Sequence, residues 1–450
     1  MMEKGLQLEQ YLNRQWACSC GKTHATHLKA VAIRPGAVNE VPEILKSVGC
    51  ARPFVLYDET TYQAAGELLQ SALEGADVAY TAYILPYAEP VPDEKVLGQI
   101  LFNFDPSCDL LLAVGTGTLN DLAKYVSFKM GKPYAVVATA PSMDGFVSSV
   151  AALMENHMKV TYPAHVPCAV IGDTDILQAA PMEMIASGVG DILGKYTCLC
   201  DWAMAREIEG EYYCPELVAI MRQAIDYVVQ LAPRVPARDP EAIAGVMEAL
   251  VLSGIAMAFA GNSRPASGSE HHLSHYWELQ FLTQGRKAVL HGIKVGIGTV
   301  AVLRMYEWLF ACKIDFEAAK AGALAFDEEA WREQMRALYG EGAQAVLDLE
   351  AATHKNGPEV VGAQLNAMAE KWDALQEIAA QLPPSGEIAR ILQLVGAPVA
   401  PQQVGVDKQM FADSVVAAKE LRNRFGLLQM LFDLNLSQQA AQAALEGPES

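Results

Sequence analysis

The chain has 450 residues, of which 52% are hydrophobic and 19% are charged, and its formal net charge is -20 at pH 7. This length is enough for two or three domains, each with its own core, and the composition excludes an intrinsically disordered chain. The strong negative charge argues against nucleic acid or an anionic membrane surface as the main partner. An anionic substrate would therefore need a local positive site, such as a metal ion, a helix N-terminus or a few basic side chains.

The N-terminal segment shows no cationic stretch followed by an apolar one, so no secretory signal peptide is expected. The nine cysteines are scattered and odd in number, which predicts reduced thiols in a cytoplasmic protein. Four potential metal ligands are close together here: Cys18, Cys20, His24 and His27. Cys-x-Cys is not a usual spacing for a zinc pair, so ordinary side chains are the favoured interpretation and a second metal site is the alternative.

From about residue 28 to residue 180, short apolar runs alternate with helix-like segments. Six runs have the length and composition of buried strands: residues 30–33, 53–57, 78–84, 110–114, 134–137 and 168–171. Such a series predicts a parallel sheet covered on both faces, which binds ligands at the carboxyl ends of its strands. Residues 1–180 are therefore expected to form an α/β domain with a Rossmann-like parallel sheet.

Two of these strands end in sequences that suit a nucleotide. Residues 110–114 run into Gly115-Thr116-Gly117-Thr118, with Asp121 shortly after, and glycines at a helix N-terminus let the backbone approach a phosphate. A simple tight turn is the alternative. Asp58 follows the run at 53–57, where a carboxylate can bind an adenosine ribose and favours NAD over NADP, or can cap the next helix.

A third strand end is rich in hydroxyl groups. Thr139, Ser142 and Ser148 surround the single carboxylate of Asp144, and these groups could reach phosphate or sugar oxygens. A polar loop without a ligand is the alternative interpretation.

Beyond residue 181 the pattern is helical throughout, which predicts an all-α domain over residues 181–450. The helical patterns include residues 183–208, 241–260 and 407–434. The stretch 242–260 is apolar but carries Glu248, Ser253 and two glycines, so a buried core helix is expected instead of a membrane span. Asp191 lies among three glycines early in the first pattern, where a helix cap explains it only in part.

Histidines provide the main indication of chemistry. His271, His272 and His275 lie within five residues, and His291 follows twenty residues after His271. On a helix His271 and His275 share one face, and His272 points elsewhere. This spacing favours a divalent-metal site whose third ligand comes from another part of the chain, with ordinary surface or core histidines as the alternative.

The order of these motifs resembles one known superfamily. Gly-Thr-Gly-Thr-x-x-Asp in a parallel-sheet domain, then Gly-x-x-Asp, Ser-Gly-Ser-Glu-His-x-x-x-His and His-Gly-x-x-Val-Gly in a helical domain, are similar to iron-dependent alcohol dehydrogenases, glycerol dehydrogenases and dehydroquinate synthases. The likeness is closest to the glycerol-1-phosphate dehydrogenase family, of the bacterial type associated with arabinose operons. It implies a dehydroquinate synthase-like fold and the interconversion of dihydroxyacetone phosphate and sn-glycerol 1-phosphate.

The resemblance also implies roles for individual residues. Asp191, His271 and His291 would bind one divalent metal ion per chain, and zinc, nickel and iron all suit these ligands. Asp191 and His275 would be catalytic, and both would contact the substrate together with Asp144. The residues implied to bind NAD, or NADP in its place, are Asp58, Gly115, Thr116, Gly117, Thr118, Asp121, Thr139, Ser142 and Ser148.

Two departures from the superfamily narrow the choice. Lys195 stands where iron-dependent alcohol dehydrogenases have a fourth ligand, and Asp191 stands where dehydroquinate synthases have a glutamate. Glycerol dehydrogenase, a dehydroquinate synthase-like lyase and a metal or nucleotide binder without catalysis remain the alternatives. Arg264, Lys195 and Lys294 are candidates for binding the substrate phosphate, and a homodimer is expected because it is the commonest soluble assembly.

Overall fold

The computed structural model describes residues 5–155 and 158–446. Within these residues ten strands form a six-stranded sheet and two hairpins. Numbered along the chain, the strands are β1 Gln15–Ala17, β2 Thr23–Ala25, β3 Ala30–Arg34, β4 Pro53–Asp58, β5 Thr81–Leu85, β6 Leu110–Gly115, β7 Tyr134–Ala138, β8 Val150–Glu155, β9 Met158–Pro163 and β10 Ala169–Asp173.

The six-stranded sheet has the order β3-β10-β7-β6-β4-β5, and all of its pairings are parallel. Its central strands β4, β6, β7 and β10 are buried along their whole length, because helices cover both faces. Each of the six apolar runs identified in the sequence corresponds to one of these strands. The predicted parallel α/β sheet is therefore confirmed.

The two hairpins were not expected from the sequence. β1 pairs with β2 and β8 pairs with β9, both antiparallel. The strands β1 and β2 have only three residues each, and β8 alternates between buried and exposed positions. Strands this short, or this mixed in polarity, contain too few apolar residues to form a recognisable run.

The remaining regular structure consists of helices. Numbered along the chain, they are α1 Val41–Val48, α2 Glu59–Thr61, α3 Glu67–Gly75, α4 Glu94–Asn103, α5 Gly117–Lys129, α6 Thr174–Leu177, α7 Met182–Leu193, α8 Lys195–Glu209, α9 Pro215–Leu231, α10 Pro240–Ala260, α11 Ser269–Thr283, α12 His291–Ala311, α13 Phe316–Leu324, α14 Glu328–Tyr339, α15 Ala343–Thr353, α16 Pro358–Ala379, α17 Ser385–Leu394, α18 Lys408–Ala417, α19 Leu427–Asp433 and α20 Ser437–Glu446.

No strand follows β10 in the described part of the chain, so the prediction of a helical second half is confirmed. Two helical patterns are interrupted, however. The pattern at 183–208 divides at Gly194 into α7 and α8, and the pattern at 407–434 divides into α18, a 3-10 turn at Ala418–Leu421 and α19. Apolar periodicity continues across such breaks, so it does not reveal them.

Contacts between residues divide the chain into two compact units. Unit 1 contains the chain up to Ile192, Glu216–Ser263 and Leu394–Gly396; unit 2 contains Leu193–Pro215, Arg264–Gln393 and the chain from Ala397. The change from alternating strands and helices to helices alone does occur near residue 180, and the division into domains 1–180 and 181–450 remains a proposal based on that change.

Helix α10 belongs to unit 1. Its length and hydropathy are those of a membrane span, but 83% of its apolar window is buried inside the structure. The prediction of a buried core helix at 242–260 is therefore confirmed. By length and composition, α12 and α13 together, bent by 115°, are the only other described segment that passes the same test.

Candidate active site

The cofactor-binding residues implied by the sequence lie at neighbouring strand ends in unit 1. Asp58 is the last residue of β4, Gly115 is the last residue of β6, and Thr139 follows β7. β6 pairs with both β4 and β7, and Gly115 is the register partner of Ala138. Because the strands are parallel, these residues meet at one edge of the sheet, where sheets of this kind bind ligands.

Gly115, the last residue of β6, and Gly117 differ in the space available for a side chain. A Cβ at Gly115 would lie 2.8 Å from Cδ1 of Leu119 and 3.0 Å from its Cβ, so packing against α5 requires glycine there. A Cβ at Gly117 would meet only Met143, at an ordinary 3.7 Å. Thr116, in the N-cap position of α5, makes no side-chain capping bond, so the first N–H groups of this helix suit an anionic group.

Asp58 caps the helix that follows it. Its Oδ1 accepts a hydrogen bond of 2.7 Å from the amide of Thr61, and the Thr61 hydroxyl in turn accepts from the amide of Asp58. This capping box is the alternative that the sequence left open, and the structure contains it. Burial raises the pKa of the Asp58 carboxyl, against the hydrogen bonds from Thr61 that lower it.

Asp121 and Ser148 belong to a network around a lysine that the sequence did not reveal. The fully buried Nζ of Lys124 donates to Ser148 Oγ at 2.9 Å and to the carbonyl of Gly145 at 2.8 Å, and it lies 3.3 Å from Asp121 Oδ1. Oδ2 of Asp121 accepts from the amide of Ala152. Burial lowers the pKa of Lys124, opposed by the Asp121 carboxylate. The network attaches the loop after β7, which contains Gly145 and Ser148, to α5.

The loop after β7 also contacts the carboxylate of Asp191, which is on α7 and fully buried. The amide of Asp144 donates to Oδ2 of Asp191 at 3.0 Å, and Ser253 donates to Oδ2 of Asp144 at 2.8 Å. Ser187, one turn before Asp191, donates to the carbonyl of Ser142 at 2.8 Å. The two carboxylates are thus positioned by hydrogen bonds within unit 1, and the bond from Ser253 to Asp144 was not predicted from the sequence.

Three histidines come together within unit 2, and we call His271, His275 and His291 the imidazole cluster. His271 and His275 are one turn apart on α11, and His291 begins α12. The ring centroids are 5.1 Å apart for His271 and His291 and 5.7 Å apart for His275 and His291. The ligand atoms of His271 and His291 lie within 4.8 Å of one another, which suits two ligands of one metal ion.

The buried carboxylate of Glu270 orients His271. Glu270 accepts hydrogen bonds from His271 Nδ1 at 2.7 Å, from Thr197 Oγ1 at 2.6 Å and from the amide of Gly268 at 2.7 Å. Since a carboxylate only accepts, Nδ1 carries the proton and Nε2 becomes the ligand atom. Burial acts to raise the pKa of Glu270, but the hydrogen bonds from His271 and Thr197 outweigh it, and the pKa is lowered.

Glu278 is a further member of the site that the sequence did not reveal. It is on α11, seven residues after His271 and three after His275, so all three lie on the same face of the helix. A carboxylate oxygen of Glu278 lies within 4.8 Å of ligand atoms of His275 and His291. Its spacing from the two histidines was a usable signal that went unrecognised.

The three basic residues considered for a substrate phosphate are all buried and bonded within the protein. Arg264 forms a bidentate ion pair with Glu211, which neutralises its charge. Lys294 donates to the carbonyl of Val289 and lies 3.5 Å from Glu278, whereas Lys195 donates to the neutral carbonyl of Ala266. Arg264 is therefore the poorest of the three as an anchor for phosphate.

Comparison with known proteins identifies the family. Residues 32–181 match the family model for "Iron-containing alcohol dehydrogenase". The glycerol-1-phosphate dehydrogenase [NAD(P)+] of Geobacillus thermodenitrificans is 34% identical over 90% of this chain and 92% of its own length. That of Halalkalibacterium halodurans is 32% identical over 92% of this chain and 95% of its own length.

A solved structure agrees on the fold. Glycerol dehydrogenase from Schizosaccharomyces pombe superposes with a TM-score of 0.60 at 16% identity, over 93% of this chain and 90% of that one. The predicted dehydroquinate synthase-like fold, an α/β part followed by helices, is thereby confirmed. On the identity and coverage of its relatives, this chain belongs to the glycerol-1-phosphate dehydrogenase [NAD(P)+] family.

Proposed function

We propose that this protein is a metal-dependent NAD(P)H oxidoreductase that interconverts dihydroxyacetone phosphate and sn-glycerol 1-phosphate. Membership of the family supports the reaction, because the relatives carry that name. The observation that carries the proposal is the His271–His291 pair, two imidazoles with ligand atoms within 4.8 Å of one another and one ring oriented by Glu270. Such a pair suits a catalytic metal.

Asp191 is the third ligand in this proposal. It is buried and held by the amide of Asp144. One carboxylate and two imidazoles leave a coordination position for substrate, and they suit zinc, nickel and ferrous iron alike.

The chemistry divides between the bound groups and the protein. When bound, the metal supplies a Lewis acid for the C2 oxygen of the substrate, and NAD(P)H supplies the hydride. Asp144 and His275 contact the substrate, and His275, whose side chain is 31% exposed, returns a proton to the C2 oxygen during reduction. Glu270 keeps His271 in the tautomer that binds through Nε2.

The cofactor binds in this proposal at the carboxyl ends of β4, β6 and β7. The uncapped N-terminus of α5, with Gly115, Thr116, Gly117 and Thr118, receives the pyrophosphate. Thr139 and Ser142 lie beside it, and Asp58 lies near the adenosine ribose. Asp121 and Ser148 contribute through the Lys124 network that holds this edge together.

The assay that tests the function is oxidation of NADH or NADPH in the presence of dihydroxyacetone phosphate. We expect oxidation that is abolished by chelation and restored by zinc or nickel, because the carbonyl needs the bound cation. Dihydroxyacetone without phosphate should be a far poorer substrate, which separates the reaction from that of a glycerol dehydrogenase. Oxidation that persists after full removal of metal, or the absence of oxidation with any three-carbon ketone, would rule the proposal out.

A second prediction concerns Glu270→Gln. The amide keeps the shape of the side chain but loses the charge that holds the Nδ1 proton of His271. The zinc or nickel concentration that half-restores activity of metal-stripped enzyme should rise by about 10–100-fold. The rate at saturating metal should change much less. Glu317→Gln, at an exposed position on α13, is the matched control and should leave the metal dependence unchanged. An unaltered metal dependence in Glu270→Gln would limit Glu270 to a structural role.

The proposal includes a homodimer in the cytoplasm that acts on a small phosphorylated substrate and on neither nucleic acid nor membrane. The net charge of -20 supports the exclusion of anionic polymers and surfaces. Two-fold symmetric dimers are the commonest soluble assemblies.

A further inference from the structure

The β1–β2 hairpin brings together three potential metal ligands that have no part in the proposed reaction. Cys18 and Cys20 are in the turn, and His24 is in β2, opposite Trp16. The ligand atoms of Cys18, Cys20 and His24 lie within 4.8 Å of one another. Sγ of Cys20 is 3.4 Å from Nε2 of His24. All of these residues belong to unit 1.

His24 is oriented in the way that a metal-binding histidine requires. It is fully buried, and its Nδ1 is 2.7 Å from the carbonyl oxygen of Phe259. A carbonyl only accepts, so Nδ1 carries the proton and Nε2 presents its lone pair towards Cys20. A backbone carbonyl on the second ring nitrogen is a common partner of histidine ligands, because it fixes the tautomer and the ring direction.

The turn itself orients Cys18. The amide of Cys20 donates to Sγ of Cys18 at 3.4 Å. The amides of Cys18 and Gly21 bond to the carbonyls of Lys22 and Cys18, and Gly21 has φ of +86°. This glycine-dependent turn brings two sulfurs close together despite the unusual Cys-x-Cys spacing.

Glu216, in the first turn of α9, contacts the hairpin within unit 1. It accepts hydrogen bonds from the Ser19 hydroxyl at 3.1 Å and from Nε1 of Trp16 at 3.2 Å. These bonds fix the turn that carries Cys18 and Cys20.

We propose that Cys18, Cys20 and His24 bind one zinc ion in a site that fixes the turn of the N-terminal hairpin. Two thiolates and one imidazole supply three of the four positions of a tetrahedral zinc shell. Zn–S bonds of about 2.3 Å and Zn–N bonds of about 2.0 Å place sulfur and nitrogen about 3.5 Å apart in a tetrahedron. The 3.4 Å between Cys20 and His24 is close to that value.

The competing interpretation is a metal-free cluster in which the Cys20 thiol bonds to His24 and the Cys18 thiol donates to Glu216. Cobalt substitution distinguishes the two without relying on enzyme activity. In the cobalt-loaded full chain we expect a sulfur-to-cobalt charge-transfer band in the near ultraviolet and intense tetrahedral bands in the visible. The Asp191, His271 and His291 site contains no sulfur and cannot produce the charge-transfer band.

Single-residue variants show which side chains produce the charge-transfer band. Cys20→Ser should abolish the band and remove one zinc per chain, because one of the thiolate ligands is lost. Cys312→Ser is the matched control, a partly exposed cysteine elsewhere in the chain, and should change neither quantity. His271→Ala should remove the metal of the proposed active site and keep the charge-transfer band. Failure of the hairpin site and failure of the proposed function therefore give different results.

The zinc content and the melting temperature complete the test. Wild-type protein should contain about two metal ions per chain, and Cys20→Ser about one, with a lower melting temperature. If Cys20→Ser does not fold, the cobalt spectrum of the wild type decides the question. A cobalt-loaded wild type without the charge-transfer band, or zinc content that Cys20→Ser leaves unchanged, would overturn the proposal.

Discussion

Replacing His271 or His291 by alanine, or Asp191 by asparagine, is expected to lower kcat/KM for dihydroxyacetone phosphate by about 10³-fold or more. Each change removes one of three proposed ligands, so the metal is bound more weakly and polarises the substrate carbonyl less. Loss of an electrostatic contribution of about 4 kcal/mol to the transition state corresponds to this factor. The measurement is steady-state NADH oxidation, together with the metal content of each purified variant.

His27→Ala is the matched control for the imidazole variants, because His27 is an exposed histidine outside the site. It should retain wild-type kinetics and metal content. Asn at position 191 keeps the size of the side chain and its hydrogen-bond acceptor towards the amide of Asp144, so a loss of activity there reports the charge. Near wild-type activity in Asp191→Asn would exclude Asp191 as a ligand and would leave the imidazole cluster to bind the metal with another group, such as Glu278.

Gly188→Ala is expected to destabilise the protein by about 3 kcal/mol or more and to disturb Asp191. A Cβ at Gly188 would lie 2.0 Å from the carbonyl oxygen of Pro141 and 3.0 Å from Cδ1 of Leu250. The obstacle is backbone, so α7 must move by roughly 1 Å in a close-packed interior. The bonds from Ser187 to Ser142 and from the amide of Asp144 to Asp191 would lengthen with it.

The measurement is the free energy of unfolding in urea, followed by the metal content of the folded fraction. Gly98→Ala and Gly362→Ala are matched controls within α4 and α16. A Cβ at Gly98 would be 4.0 Å from Phe102, and at Gly362 nothing lies within 4 Å. Because alanine is the better helix former, both controls should be neutral or more stable by up to about 1 kcal/mol. A Gly188→Ala protein as stable as these controls would show that α7 tolerates the displacement.

The sequence was most informative where the evidence is local. β4, β6 and β7 are continuous apolar runs, and each is buried along its whole length, so a few adjacent residues were enough to identify them. The order of strands, helices and ligand motifs then predicted the fold and the family. The individual site residues stay predictions, although the structure brings His271 and His291 together, as their spacing suggested.

Partners that are distant along the chain could not be found in this way. The burial of Lys124 could not be predicted, because all of its acceptors except Asp121 are 21 to 26 residues away. Ser253 bonds to Asp144 across 109 residues, and Thr197 bonds to Glu270 across 73. The group that orients His24 could not be found from the sequence either, because the carbonyl of Phe259 is 235 residues away.

The amino-acid sequence by itself determined the parallel sheet, the helical second half and the candidate ligands of the active site, because apolar periodicity and residue type are properties of short segments. Only the tertiary structure decided which carboxylate orients His271, which hydroxyls hold Lys124, and why Gly188 must be glycine. Those answers depend on distances between segments that meet only after folding, since hydrogen bonds and steric contacts act over a few ångströms in space and not along the chain.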